Sequence, residues 1–431
     1  MRINYIEGIR RILLIVLIIA LYKFFFLFDR ESFTGSGVYG SSLITVLLLS
    51  ICNIFFNIIG KIRVKIPIFT GPIIIIEMMM IIVVIATQDV GAFSRIGWCL
   101  TLLMLYLALV FSIKNENDLD FVFFSFQLCT IIVCALLIIQ AIVVNLGGNF
   151  FLHIHFIESN SWYTFRNDRL RILENENLYL IGYIISLVNL RCNHSKMRRL
   201  ISIICIGLSL VYNVYVSQTR MILFSEVMLL VIMYFYKSKL SVKRLVLAVI
   251  IIPLAIEGIS LIQDYLMNSL VLFVSDKSVT IRLLEYTFFL NAGLEFFPFG
   301  VGFRDISMNY YAGDVGVIGI IGKYGYIVAS LVLYIYIKMF RTMKNEIIKN
   351  NDGQKLMLYL IMFNTLFLLI LANPLEDGHI HVFAIEMAMV ELMSMISIHS
   401  IQKANIQNKH ISIKKHLNKE DIRRQSFESV W

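Results

Sequence analysis

The sequence predicts an all-α polytopic membrane protein of about twelve transmembrane helices, with a long external loop that contains an amphipathic helix. Three observations predict it. Of 431 residues, 58% are hydrophobic and only 16% charged, with a mean hydropathy of +0.79, where soluble domains usually carry about 25% charge. Apolar stretches approaching the ~20 residues needed to cross a bilayer recur along the whole chain. The short polar segments between them hold their lysines and arginines almost wholly on alternate sides.

The elements follow in order. The first span, 12–28, comes after Arg10-Arg11 and has the outline of a signal peptide. It lacks a small-residue cleavage site and further spans follow, so it reads as an uncleaved first helix. Spans at 38–59, 66–86, 96–113 and 121–146 are each apolar over a bilayer's thickness. A short sixth span lies at 177–190, and the seventh and eighth, 200–217 and 219–236, nearly abut. Spans at 245–262, 315–337, 356–372 and 380–399 complete the set. Residues 1–400 therefore form one transmembrane domain, and 401–431 form a basic, disordered tail. Each Lys or Arg of that tail contributes roughly 1 kcal/mol of attraction to an anionic inner leaflet.

Orientation follows from charge. With the N-terminus inside, the cytoplasmic segments collect most of the 38 lysines and arginines: Arg10-Arg11, the 61–65 loop, Arg191 to Arg199, Lys237 to Arg244, Lys338 to Lys355, and the tail. The positive-inside rule then places both termini in the cytoplasm of a cell membrane. The formal charge of +9 is topological in this setting, and nucleic acid is not an expected partner. Two connections, 147–176 and 263–314, are longer than the rest and lie outside. Both keep several cations there, which points to an external site.

Four groups of residues carry the chemistry. Arg166, Arg169 and Arg171 cluster in the first external loop; planar guanidinium forks match phosphate oxygens, although such arginines also serve as interfacial anchors. Arg220, in Ser217-Gln218-Thr219-Arg220, sits at the tight external junction of spans seven and eight. An arginine at that depth faces a polar cavity or an anion, or else snorkels to the interface. In the second loop, residues 279–297 read as an amphipathic helix with Arg282 and Glu285 on one face. The helix stops at Pro298, before a glycine turn and Arg304. Finally, Gly313, Gly316, Gly319, Gly322 and Gly325 recur at every third residue beside Asp314 and Lys323. That spacing makes a small-residue groove for a neighbouring helix, or for a lipid chain or substrate.

Other classes find little support. The six cysteines form no CxxC pair. His153-x-His155 and His379-x-His381 lack a third ligand, so no metal is expected. Phosphate-binding loops, dinucleotide fingerprints and hydrolase signatures are absent, and no cofactor is expected.

Taken together, SQTR at 217–220, IRLLEYTFFL at 281–290, PFGVGF at 298–303 and DVGVIGIIGKYG at 314–325 resemble the O-antigen ligase and polymerase superfamily. The nearest resemblance is to Wzy-type polymerases of capsular or exopolysaccharide repeat units. It is spread over roughly 160–330, and order and spacing carry it. It implies that Arg220 and Arg282 act catalytically, with Arg166, Arg169, Arg171 and Arg304 binding substrate. Where ligases carry a histidine before the glycine-rich span, this chain has Asp314, and Asp314 or Glu285 is the implied base. The implied reaction joins undecaprenyl-diphosphate-linked oligosaccharides, without metal or cofactor, at the outer face of the membrane. A chain-length regulator and a flippase of the same pathway are the implied partners.

The rival reading is a flippase for the same lipid-linked sugars, which needs charges deep in several spans and near-equal halves. A membrane acyltransferase is suggested faintly by YIEGIRRILLIVL, residues 5–17, but the histidine such enzymes place near the end of the first span is missing. A non-enzymatic scaffold leaves the external arginines unexplained.

Overall fold

The computed structural model describes residues 2–24, 37–59, 66–87, 96–97, 99–149, 151–152, 163–166, 169–172, 178–192, 195–236, 277–302, 312, 315–349, 352–376 and 379–395. These residues form helices α1 (Arg2–Leu21), α2 (Gly37–Ile59), α3 (Thr70–Thr87), α4 (Thr101–Ser112) and α5 (Glu116–Asn145), then a hairpin of β1 (Tyr163–Arg166) and β2 (Arg169–Ile172). Helices α6 (Leu178–Cys192), α7 (Lys196–Val211), α8 (Arg220–Phe235), α9 (Lys277–Glu295), α10 (Gly316–Lys349) and α11 (Asp352–Leu371) follow. The last helix, α12, covers 379–395. Five helical stretches among the described residues are long and apolar enough to cross a membrane: α3, α5, α7 with its extension to Ser217, α10 and α11. The chain is thus a helical, multi-pass membrane protein.

Packing has the sense expected in lipid. Large apolar side chains point outward, such as Met78, Ile82 and Ile85 on α3 and Ile203 on α7. Polar side chains turn inward and bond across helices. Gln127 of α5 donates to Ser186 of α6 at 2.8 Å and to Ser202 of α7 at 3.2 Å. Asn364 and Thr365 of α11 donate to Glu386 of α12 at 2.7 and 3.0 Å. Interhelical hydrogen bonds of this kind hold helices together where the hydrophobic effect gives no drive.

Contacts sort the helix ends into two poles. At one, Asp118 at the start of α5 receives Arg10 and Arg11 of α1, and Tyr236 beyond α8 donates to the carbonyl of Asp352. At the other, Asn145 at the end of α5 meets β2 and Tyr215. Gly302 there packs on Thr87, and Gly316 on Ile370. We call these the Asp118 end and the Glu376 end.

Several helices outrun the predicted spans, all towards the Asp118 end. α1 starts at Arg2 rather than 12, α5 at Glu116 rather than 121, and α10 continues to Lys349 rather than 337. Hydropathy marks where apolar residues stop, whereas a helix continues until something caps it. For α5 the cap is Asn115, whose side chain accepts the Asp118 amide at 2.9 Å. The span predicted at 245–262 lies outside the described residues, as does the tail 401–431.

Of the two uses expected for the glycine series, the structure shows close packing by neighbouring segments. Each described glycine of that series already has the chain's own atoms on it: Ile370 at Gly316, Ala312 at Gly319, Phe289 of α9 at Gly322, and Pro298 and Phe299 at Gly325. The groove is filled by this protein, which leaves no room there for a lipid chain. α10 also breaks at Gly325, whose φ of 85° and ψ of 175° suit only glycine.

Candidate functional site

Within the 147–176 connection, residues 163–166 and 169–172 pair as a β-hairpin, which hydropathy did not indicate. Its register pairs Tyr163 with Ile172 and Arg166 with Arg169, with Asn167-Asp168 between the strands in sequence. That dipeptide between two β-favouring tetrads was the available signal. The hairpin is docked by hydrogen bonds. The Leu170 amide donates to Asn145 Oδ1 at 2.8 Å, and Asn145 Nδ2 donates to Tyr215 Oη at 3.2 Å. Tyr212 Oη donates to the carbonyl of Ile172 at 3.2 Å.

That docking delivers Arg171 to the SQTR junction. Its Nε donates to the Ser217 carbonyl at 2.7 Å, across 46 residues of sequence. The junction itself is irregular. Tyr212–Ser217 form a π-helical turn, Gln218 is left-handed with φ 53°, and Arg220 is the first residue of α8. The Thr219 hydroxyl pairs with Ser217 Oγ and does not cap α8. α8 therefore begins without a side-chain cap, at a helix end that carries partial positive charge. π-turns cost helical regularity and recur at functional sites.

The second loop closes on the break in α10. Phe289, Ala292, Val301, Ala312 and Val315 form a small apolar core of their own. The Val301 amide donates to the Gly322 carbonyl at 2.7 Å, Gly302 to Lys323 at 2.9 Å, and Tyr326 to Pro298 at 3.0 Å. The broken helix and the PFGVGF turn thus satisfy each other's backbone groups. α9 presents Leu283, Leu284, Leu290 and Leu294 outward, while Glu285 is buried towards the bundle beside Phe289 and Ala292. This is the amphipathic sense suited to lipid, with the carboxylate inside.

Beside that break lies a cluster that sequence reasoning recorded only in pieces. Lys323 Nζ donates to Glu376 Oε1 at 2.6 Å, and Tyr324 Oη donates to the same oxygen at 3.1 Å. Glu376 belongs to the turn between α11 and α12. An ionisable residue inside a span, such as Lys323, is the signal that could have found it. Lys23, left-handed with φ 54° after α1, and the buried His381 of α12 lie within electrostatic reach of each other nearby. Tyr22 donates to the Leu178 carbonyl at 3.2 Å, and Tyr179 bonds Asn213 of the π-turn. The start of α6 therefore touches both the end of α1 and the π-turn.

Of the predicted residues, Arg171 and the SQTR backbone are brought together, and Glu285 faces the bundle on α9. Arg166 and Arg169 are paired in the hairpin register, and Arg282 lies one turn before Glu285. The side chains of Arg166, Arg169, Arg220 and Arg282 lie outside the described residues, as do Arg304 and Asp314 entirely. Among the described residues no three His, Cys, Asp or Glu side chains are grouped to hold a metal ion. No family model matches the chain, and no curated protein matches it.

Proposed function

We propose that the chain is a glycan polymerase that joins undecaprenyl-diphosphate-linked oligosaccharide repeat units at the outer face of the bacterial cytoplasmic membrane. The observation that carries this reading is the bond from Arg171 to the Ser217 carbonyl. It docks the arginine-bearing first loop on the junction that begins α8 with Arg220. In this reading about twelve spans cross the membrane, both termini are cytoplasmic, and the Glu376 end faces out, in keeping with the charge bias of the loops. Cations and the uncapped start of α8 neutralise the departing lipid diphosphate, an electrostatic role that is often the largest in catalysis. A carboxylate takes the proton of the attacking hydroxyl.

The test is polymer formation by cells carrying Arg220→Ala or Arg282→Ala. Each variant is expected to lose long-chain polymer while protein persists in the membrane. Normal polymer from both, or labelling that opens Arg220 and Arg282 to the cytoplasm, overturns the reading.

One observation favours the flippase alternative. Glu226 of α8 is wholly buried within the bundle, with the Asn213 side chain of the π-turn beside it; ionisable groups so placed mark transport paths in many membrane proteins. Deletion separates the two readings. A polymerase mutant accumulates single lipid-linked units at the outer face, and a flippase mutant accumulates them at the inner face.

A further inference from the structure

The turn between α11 and α12 fixes a carboxylate from one side only. Glu376 Oε1 receives both Lys323 and Tyr324. Glu376 is itself buried, and its Oε2 takes no hydrogen bond among the described residues. The backbone beneath it is stiff. Asn373 Oδ1 accepts the Leu375 amide at 3.0 Å, and the Asn373 carbonyl accepts the Glu376 amide at 3.2 Å. The Glu376 carbonyl in turn receives the amides of His379 and Ile380, both at 3.1 Å, and so starts α12. On the opposite side, Lys323 is braced by the second loop through the Gly302 amide on its carbonyl. One carboxylate oxygen is held by two donors from a single turn of α10, and its twin takes no hydrogen bond among the described residues. A carboxylate held this way accepts a proton without reorganising.

We propose that Glu376 is the catalytic base of the glycosyl transfer, with Lys323 and Tyr324 as its positioning residues; the proposal rests on the polymerase reading above. The acceptor hydroxyl oxygen forms a bond to the donor's anomeric carbon. The bond from that carbon to the diphosphate oxygen breaks, and its electron pair leaves with the lipid diphosphate. The hydroxyl proton passes to Glu376 Oε2. The PFGVGF turn then acquires a purpose beyond folding: it holds α10 broken where Lys323 and Tyr324 must reach across to the α11–α12 turn.

The experiment uses the full-length protein in lipid nanodiscs with a defined undecaprenyl-diphosphate-linked repeat unit. Glu376→Gln is expected to lower kcat by about 100-fold to 10,000-fold, the usual contribution of a general base, while affinity for the lipid-linked donor stays at the wild-type value. Lys323→Met is expected to lower kcat with KM unchanged, and Lys323→Arg to recover much of the loss. The exchanged pair Lys323→Glu with Glu376→Lys restores the ion pair but moves the carboxylate to α10; it is expected to fold and remain inactive. Wild-type turnover by Glu376→Gln or by the exchanged pair overturns the assignment and leaves the polymerase reading standing. Failure of the wild-type protein to extend the unit at all overturns the polymerase reading itself.

Discussion

At the Asp118 end two arginines close on both oxygens of one carboxylate, whereas at the Glu376 end a lysine and a tyrosine share a single oxygen of another. Arg10 reaches Asp118 Oδ2 at 2.6 Å, and Arg11 grips Oδ1 through Nε and Nη2 at 3.2 and 3.0 Å. Lys114 sits beside them, its ammonium pKa lowered by partial burial and then by the Arg10 charge. Asp118 also takes part in the Asn115 cap, so its oxygens and amide are committed to joining α1 to α5. Backbone conformation draws the same contrast. Every positive-φ residue among the described residues belongs to the Glu376 end: Lys23, Gly147, Gln218, Gly300, Gly302, Gly316 and Gly325. Left-handed conformations in Lys23 and Gln218 cost roughly 1–2 kcal/mol each, and they persist where the surroundings fix them, often at functional sites. One pole is built for cohesion; under the proposed function, the other places chemical groups.

The contrast is broken most severely at Asp118. Asp118→Ala leaves Arg10, which is buried, without its carboxylate; loss of one partner of a buried pair costs about 3–5 kcal/mol. The expected result is a marked fall in melting temperature in detergent, with normal turnover per folded molecule. Reduced turnover with an unchanged melting temperature sinks the division of labour between the poles. A smaller effect on stability, with a larger one on turnover, is expected of Gly325→Ala. The backbone there suits only glycine, and such strain costs on the order of 1–3 kcal/mol. A Cβ would also collide with the Pro298 carbonyl, so the variant is expected to be folded and poorly active. Tyr215→Phe is the mildest. It removes the hydrogen bond from Asn145, about 1 kcal/mol, and should loosen the hairpin that carries Arg171. Hydrogen exchange of the 169–172 amides should rise while the amides of α5 stay protected; equal protection in variant and parent argues against docking through Asn145.

Much of the fold was legible because a bilayer imposes a simple rule. A span must bury its backbone polar groups in its own helix and show apolar side chains to lipid, so the stretch 38–59 falls on α2 almost residue for residue, and 200–217 falls within α7 and its π-helical extension. The hairpin was harder to see, because two four-residue strands have too few positions to build a periodic pattern. The arginine clusters could be picked out by residue type alone. Their mutual arrangement could not, since Arg171 and Ser217 are 46 residues apart and Lys323 and Glu376 are 53 apart.

By itself the sequence determined that this chain is helical and membrane-embedded, since local hydropathy decides that without reference to any distant residue. The tertiary structure alone decided that the repeated glycines admit the protein's own turns, that α10 breaks at Gly325, and that Lys323 and Tyr324 meet Glu376. Those outcomes depend on which surfaces approach closely enough to exclude a Cβ or to share one carboxylate oxygen. Such distances are set by the packing of separate segments and are written in no single one of them.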